Sequence, residues 1–245
     1  MTEEQVKEIR DKYNIHCRGI NLIAPIESFA YFDFDEKLMD VIIGQNFSKP
    51  TPIQMQAIPI LLSGRNLLGL AKTGSGKTAA FIWPIIPHIL DQDCIESGYD
   101  GAIVIILSPT RELASQTYKE CKRYVTPFNL RCAPLYGGLN MFEQEKLLKS
   151  GIEIIVATPG RLIDLIKNKS TNCQRVTYLI IDEVDKMFSL GFESQIRSII
   201  GQLRPNNKQI AMFSATMNDK IEKIASDVLD DYIRVNIGNI NLSNT

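Results

Sequence analysis

Short, unbroken apolar runs alternate along most of the chain with stretches whose apolar residues recur every three or four positions. Strand candidates of this kind fall at residues 66–70, 102–108, 131–136, 152–157, 176–181, 209–213 and 232–235, and most of them are continuous runs of Ile, Val and Leu. Runs of Ile, Val and Leu without interleaved polar residues suit parallel strands buried on both faces. The periodic stretches fall at 77–90, 112–125, 140–149, 161–167, 192–203 and 219–229 and read as amphipathic helices. Their alternation predicts an α/β fold, a doubly wound and mostly parallel sheet of about seven strands with helices on both faces. Sheets of this kind bind ligands beyond the carboxyl ends of their strands.

The first part of the chain is different. Residues up to about Pro25 read as a polar helix followed by an extended segment. Another helix is expected at 36–45, and a third after Pro52, where proline suits a first turn and Thr51 can act as a cap. The tail 238–245, GNINLSNT, has the composition of a linker. The expected division is an extension over 1–28, one domain over 29–237 and a linker over 238–245.

Chemistry concentrates just past the strands. After the run at 66–70 comes Ala71-Lys72-Thr73-Gly74-Ser75-Gly76-Lys77-Thr78, a P-loop pattern with Ala71 in place of its first glycine. Gly74 and Gly76 let successive N–H groups face one anion, and the following helix presents its N-terminus to the same anion. Lys77 is placed to reach the β- and γ-phosphates, and the Thr78 hydroxyl to ligate Mg²⁺. The run at 176–181 ends in Asp182-Glu183-Val184-Asp185. Asp182 suits the acid that holds Mg²⁺, and Glu183 suits a base that orients and deprotonates a water. Ser214-Ala215-Thr216 follows the run at 209–213, and its two hydroxyls suit hydrogen bonds to Asp185 or Glu183. Singly, a Gly-rich turn, an acidic strand exit and a pair of capping hydroxyls are common. The P-loop upstream is what gives the acids their meaning.

Bulk properties narrow the context. Of 245 residues, 44% are hydrophobic and 22% charged, enough for a real core. The formal net charge is -1, so any nucleic-acid site must be built locally. The five cysteines show no C-x-x-C spacing and the two histidines stand far apart, which argues against a zinc site or a disulfide framework. The charged start and the shortness of the apolar runs point to a soluble, intracellular setting without membrane contact.

Together the motifs resemble the first RecA-like domain of a DEAD-box ATP-dependent RNA helicase, from about Phe29 to about Gly238. Phe47-Ser48-Lys49-Pro50-Thr51-Pro52-Ile53-Gln54 is similar to the family's adenine-reading motif, AKTGSGKT to its P-loop and DEVD to its namesake motif, with Val184 where the family usually has Ala. Ser214-Ala215-Thr216 resembles the segment coupling hydrolysis to RNA. Pro109-Thr110-Arg111-Glu112-Leu113-Ala114, Gly137-Gly138 and Thr158-Pro159-Gly160-Arg161 resemble the RNA-contacting motifs. The lead-in IHCRGINLIAPIESF is similar to that of the Prp5-like and p68-like branches. The resemblance implies ATP and Mg²⁺ as cofactors, with Gln54 pairing with adenine and Phe29 stacking on it. It also implies a single RNA strand held through its backbone, largely independently of sequence, and protein cofactors as further partners. Family members carry a second RecA-like domain that supplies arginines for the γ-phosphate. No HRxGRxGR-type segment occurs in these 245 residues. The expectation is a shortened form of a longer protein that binds adenine nucleotide, hydrolyses ATP feebly and does not unwind RNA. The alternatives are another P-loop ATPase, such as a DNA translocase, or a nucleotide-binding scaffold.

Overall fold

The structure is a computed structural model and describes residues 1–95, 101–204 and 208–238. Its helices are α1 (Glu3–Lys12), α2 (Glu36–Gly44), α3 (Pro52–Leu62), α4 (Lys77–Leu90), α5 (Arg111–Val125), α6 (Met141–Lys149), α7 (Pro159–Lys167), α8 (Val184–Ser189), α9 (Glu193–Ile200) and α10 (Asp219–Val228). Its strands are β1 (Ile15–Arg18), β2 (Leu67–Leu70), β3 (Val104–Leu107), β4 (Cys132–Leu135), β5 (Ile154–Ala157), β6 (Tyr178–Ile181), β7 (Gln209–Ser214) and β8 (Ile233–Ile237). The chain forms two compact units, one from Met1–Pro84 and Ile210–Thr245, the other from Ile85–Gln209. Among the described residues no helix is long and apolar enough to cross a membrane.

The first unit orders its strands β1-β8-β2-β7. β2 runs parallel to both β7 and β8, and β1 pairs antiparallel with β8. All four residues of β2 are buried, as its unbroken apolar run requires. Gly69 lets the ring of Phe213 lie across β2, because a Cβ there would stand 2.8 Å from that ring. Phe213 in turn packs on Phe81 of α4 with centroids 5.4 Å apart.

The N-terminal segment is tied into this unit by hydrogen bonds. Pro59 lies inside α3 and has no N–H for the carbonyl of Met55. That carbonyl accepts instead from Ile26 N at 2.8 Å. The carbonyl of Ile23 accepts from both Arg10 Nη2 and Gln56 Nε2, each at 2.8 Å. The strand β1 was not expected from the sequence as a strand. Gly238 N donates to Asn14 O at 2.8 Å, and the rest of the expected linker, 239–245, lies outside the described residues.

Asn66 clamps the entry to three strands. Its Oδ1 accepts from Ile210 N and its Nδ2 donates to Asp230 O, both at 2.7 Å, while its carbonyl accepts from Ile233 N at 3.0 Å. Replacing Asn66 with Ala removes two side-chain bonds and leaves Ile210 N without its acceptor. At about 1 kcal/mol per bond, the expected loss is about 2 kcal/mol in urea unfolding. An unchanged midpoint would show that the clamp is redundant.

The second unit orders its strands β6-β3-β5-β4, all parallel. β3, β5 and β6 are buried throughout, whereas β4 at the edge alternates. All seven expected strands are present, with shorter bounds in five of them, while β7 and β8 run on past their expected ends. The helix at 77–90 matches its expected limits, and the other expected helices agree to within a few residues. The short helix α8 was not expected, nor were the single 3-10 turns at Phe29–Tyr31 and Thr126–Phe128.

Candidate functional site

In the first unit the phosphate loop follows β2 directly. Gly74 and Gly76 have φ of +78° and +92°, values that side chains with a Cβ rarely adopt, and α4 starts at Lys77. Ala71 N donates to Ser214 O at 3.1 Å, which fastens the loop to the Ser214-Ala215-Thr216 segment. Lys77 is only 7% exposed, and its ammonium donates to Ala71 O at 2.7 Å. The hydroxyl of Ser75 is buried without a partner. A buried hydroxyl with an open donor, two left-handed glycines and an adjacent ammonium fit a phosphate. Lys72, Thr73 and Gly74 are exposed, and Thr78 is half-buried. Ser214 Oγ donates to Thr216 O at 2.7 Å and accepts from Thr216 N at 3.3 Å, so that segment closes on itself.

The segment 47–54, expected to read adenine, meets the loop at one point. Gln54 Nε2 donates to Gly76 O at 3.1 Å and its Oε1 accepts from Thr51 N at 2.9 Å. A Cβ at position 76 would stand 2.6 Å from Gln54 Nε2, so this contact requires glycine there. Each amide atom of Gln54 keeps one hydrogen-bonding position, one donor and one acceptor, the pair that adenine N7 and N6 present. Gln54 is 0% exposed, so it is not the surface helix residue its sequence position alone suggests. Phe29 and Phe47 both stand edge-on to Trp83, at 5.6 and 5.4 Å between centroids, and Phe34 does so at 6.4 Å.

In the second unit the ladder of β6 continues one residue past the strand, where Asp182 N donates to Leu107 O at 3.0 Å. The chain then turns sharply. Glu183 adopts the left-handed conformation, φ 54° and ψ 50°, and α8 starts immediately after it. Such a conformation costs energy for a residue with a side chain and is found where geometry matters to function. Glu183 is 7% exposed, and Lys186 Nζ stands 2.9 Å from its Oε2. That carboxylate raises the Lys186 pKa above the ordinary lysine value. Asp182 Oδ1 accepts from Glu183 N at 3.0 Å, and Asp185 Oδ1 from Lys186 N at 3.1 Å. Val184 is fully buried in the first turn of α8.

The segments expected to touch RNA converge in the second unit. Pro109 to Glu112, Gly137, Thr158, Gly160 and Arg161 line one cleft of about 560 Å³. Thr110 caps α5, its Oγ1 accepting from Leu113 N at 3.3 Å. Gly138, at φ +87°, has the Arg111 guanidinium where a side chain would stand. Pro159 is buried in the first turn of α7 and does not line the cleft. Arg161 Nη1 is buried without a partner, the state of a donor built for an anion. The Glu112 carboxyl is held below its usual range by its own backbone N–H and by Thr110. Two residues not singled out from the sequence, Asp164 and Phe192, also line the cleft. Asp164 follows Arg161 by three positions on α7, a spacing that places both on one helix face. Phe192 arrives through tertiary packing and had no local signal.

Residues 51–224 match the family model described as DEAD/DEAH box helicase. The chain is 53% identical over 244 residues to ATP-dependent RNA helicase DDX42 of Gallus gallus, covering 100% of this chain and 26% of that protein. It is 51% identical over 244 residues to DEAD-box ATP-dependent RNA helicase 24 of Oryza sativa subsp. japonica, covering 100% of this chain and 31% of that protein. Among solved structures, the yeast DEAD-box splicing factor Prp28 superposes with a TM-score of 0.92 at 33% identity, over 99% of this chain and 58% of that one. The RNA helicase Prp28 of Chaetomium thermophilum bound to ADP gives 0.88 at 36% identity, over 98% and 57%. The chain thus spans 26% and 31% of the length of these two curated relatives. On the family model, the identities and the shared fold, this chain belongs to the DEAD/DEAH box helicase family.

Proposed function

We propose that this chain is the ATP-binding half of an RNA helicase that couples ATP hydrolysis to RNA binding and local duplex opening or ribonucleoprotein remodelling. The contact between Gln54 and Gly76 carries this reading, because it joins a base reader to a phosphate loop. In the first unit the Gly74–Gly76 turn and Lys77 would grip the phosphates, Thr78 would hold Mg²⁺, and Gln54 and Phe29 would receive adenine. Phe47 supports that pocket through Trp83. In the second unit Asp182 would hold Mg²⁺, and Glu183 would orient and deprotonate a water. Bound Mg²⁺ supplies charge neutralisation on the phosphates. A second RecA-like domain of the full protein supplies the γ-phosphate arginines, so the 245-residue chain alone hydrolyses ATP feebly.

The cleft of the second unit holds a single RNA strand by its backbone, with Arg111 and Arg161 as the cations and the Gly137-Gly138 turn as close backbone support. Replacing Arg161 with Ala removes one charge-assisted contact, worth about 1.5–3 kcal/mol. Affinity for single-stranded RNA should fall about tenfold to a hundredfold for all sequences alike, as read by fluorescence anisotropy. Titration calorimetry tests the nucleotide half of the proposal. ADP should bind well above GDP, and Gln54→Ala should remove the preference; equal affinity of the native chain for both nucleotides would overturn it.

A further inference from the structure

The edge of the first unit carries a cationic block. In the antiparallel pair of β1 and β8, His16 stands opposite Asn236 and Arg18 opposite Arg234. Opposite residues and residues two apart share one face of a sheet, so these four side chains lie together. They border a groove of about 1080 Å³ whose other wall is α1, which contributes Lys7 along with the carboxylates of Glu3 and Asp11. The Arg18 side chain has no hydrogen bond or ion pair among the described residues. Arg234, with a side chain only 12% exposed, has Glu222 Oε1 at 3.4 Å from Nη1. The Asn236 Oδ1 is buried without a partner.

Two features of this block are unfavourable in isolation. Like charges placed directly opposite across two strands repel. A buried acceptor without a donor has lost its water and gained nothing. A single ligand that brings an anion to the guanidinium pair and a hydroxyl to Asn236 relieves both. A ribose–phosphate unit carries the two groups together, in its phosphate oxygens and its 2′-hydroxyl. A carboxylate side chain carries only the first, and deoxyribose lacks the second. We propose that the groove between α1 and the β1–β8 pair binds the ribose–phosphate backbone of an RNA strand, as a contact separate from the cleft of the second unit. This inference rests on the reading that the protein binds RNA.

The test is salt-dependent binding of a short single-stranded RNA, with the same sequence in DNA and an acidic peptide as parallel arms. The probes are compared on the native chain, on Arg18→Gln, on the Arg18→Gln/Arg234→Gln double variant and on Arg161→Ala. Each lost phosphate contact lowers the slope of log affinity against log salt by about 0.7 for a single strand. The expected drop is about 0.7 for Arg18→Gln and about 1.4 for the double variant. The thermal midpoint should not fall for Arg18→Gln, since an opposed charge is removed from an exposed site. Photo-crosslinks from the RNA should reach the 15–18 and 233–237 segments and vanish in the double variant, while those to 109–112 and 158–161 persist. An unchanged salt slope in both groove variants overturns the inference, and so do equal losses for DNA or preferential binding of the acidic peptide. If Arg161→Ala lowers affinity and the groove variants do not, the groove alone is wrong. If none of the three changes RNA affinity, the RNA reading itself falls.

Discussion

Replacing Glu183 with Gln in the full-length protein should lower ATP turnover by about 10²–10⁴-fold, the usual worth of a positioned general base, while ATP and RNA still bind. The amide keeps the shape of the carboxylate but cannot take a proton from water. The backbone at 183 is already left-handed, and Gln meets the same conformational cost there as Glu, so the turn into α8 is unaffected. The hydrogen bond from Glu183 N to Asp182 Oδ1 is a backbone feature and survives. The change does remove the ion pair with Lys186, but that lysine is 52% exposed, so the loss is about 1 kcal/mol or less. A variant with stability within about 1 kcal/mol of native, native nucleotide affinity and turnover lowered about 10²–10⁴-fold is therefore expected. Turnover within threefold of native, measured under saturating RNA and ATP, would remove Glu183 from the chemistry.

Trp83→Ala should have the largest effect on stability. The indole is 0% exposed and meets three phenyl rings edge-on, those of Phe29, Phe34 and Phe47. Truncating a buried aromatic of this size costs about 3–5 kcal/mol. Ring pairs in such geometry contribute about 0.5–1.5 kcal/mol each beyond area burial. Against a domain stability of about 5–15 kcal/mol, the loss is a large share of the whole. Urea unfolding should show a midpoint lowered accordingly, and adenine affinity should weaken even where the chain stays folded, because Phe29 and Phe47 lose their common support. A loss below about 1 kcal/mol would mean that the three rings collapse into the space at little cost.

Much of this was legible in the pattern of apolar residues. The strands buried on both faces show themselves as unbroken runs, since neither face tolerates a polar side chain. The strand β1 is four residues long, IHCR, and only Ile15 in it is buried. Its identity depends on pairing with β8, a partner more than two hundred positions away. The helix α8 is six residues long and starts after a left-handed glutamate, so it is too short to display a helical period. The phosphate loop was readable because its chemistry demands glycine and lysine at set offsets. How those residues bond to their neighbours was not readable. The bond from Lys77 to Ala71 O and that from Gln54 to Gly76 O arise from backbone curvature, which spacing alone does not disclose. The convergence of three RNA-type segments in one cleft was foreseeable from their common place after strands, whereas Phe192 entered it only through packing.

The meeting of Gln54 with Gly76 also constrains how such a protein can change over generations. Any substitution of Gln54 that altered nucleobase choice would strip a donor from the phosphate loop. Any side chain at 76 would push the base reader away and force the loop from its left-handed turn. Neither property can drift while the other is held. With Gln54 as the proposed base reader, a lineage that came to use a different nucleotide would have to rebuild both at once, and preference for one base and grip on the phosphates would be inherited as a single trait.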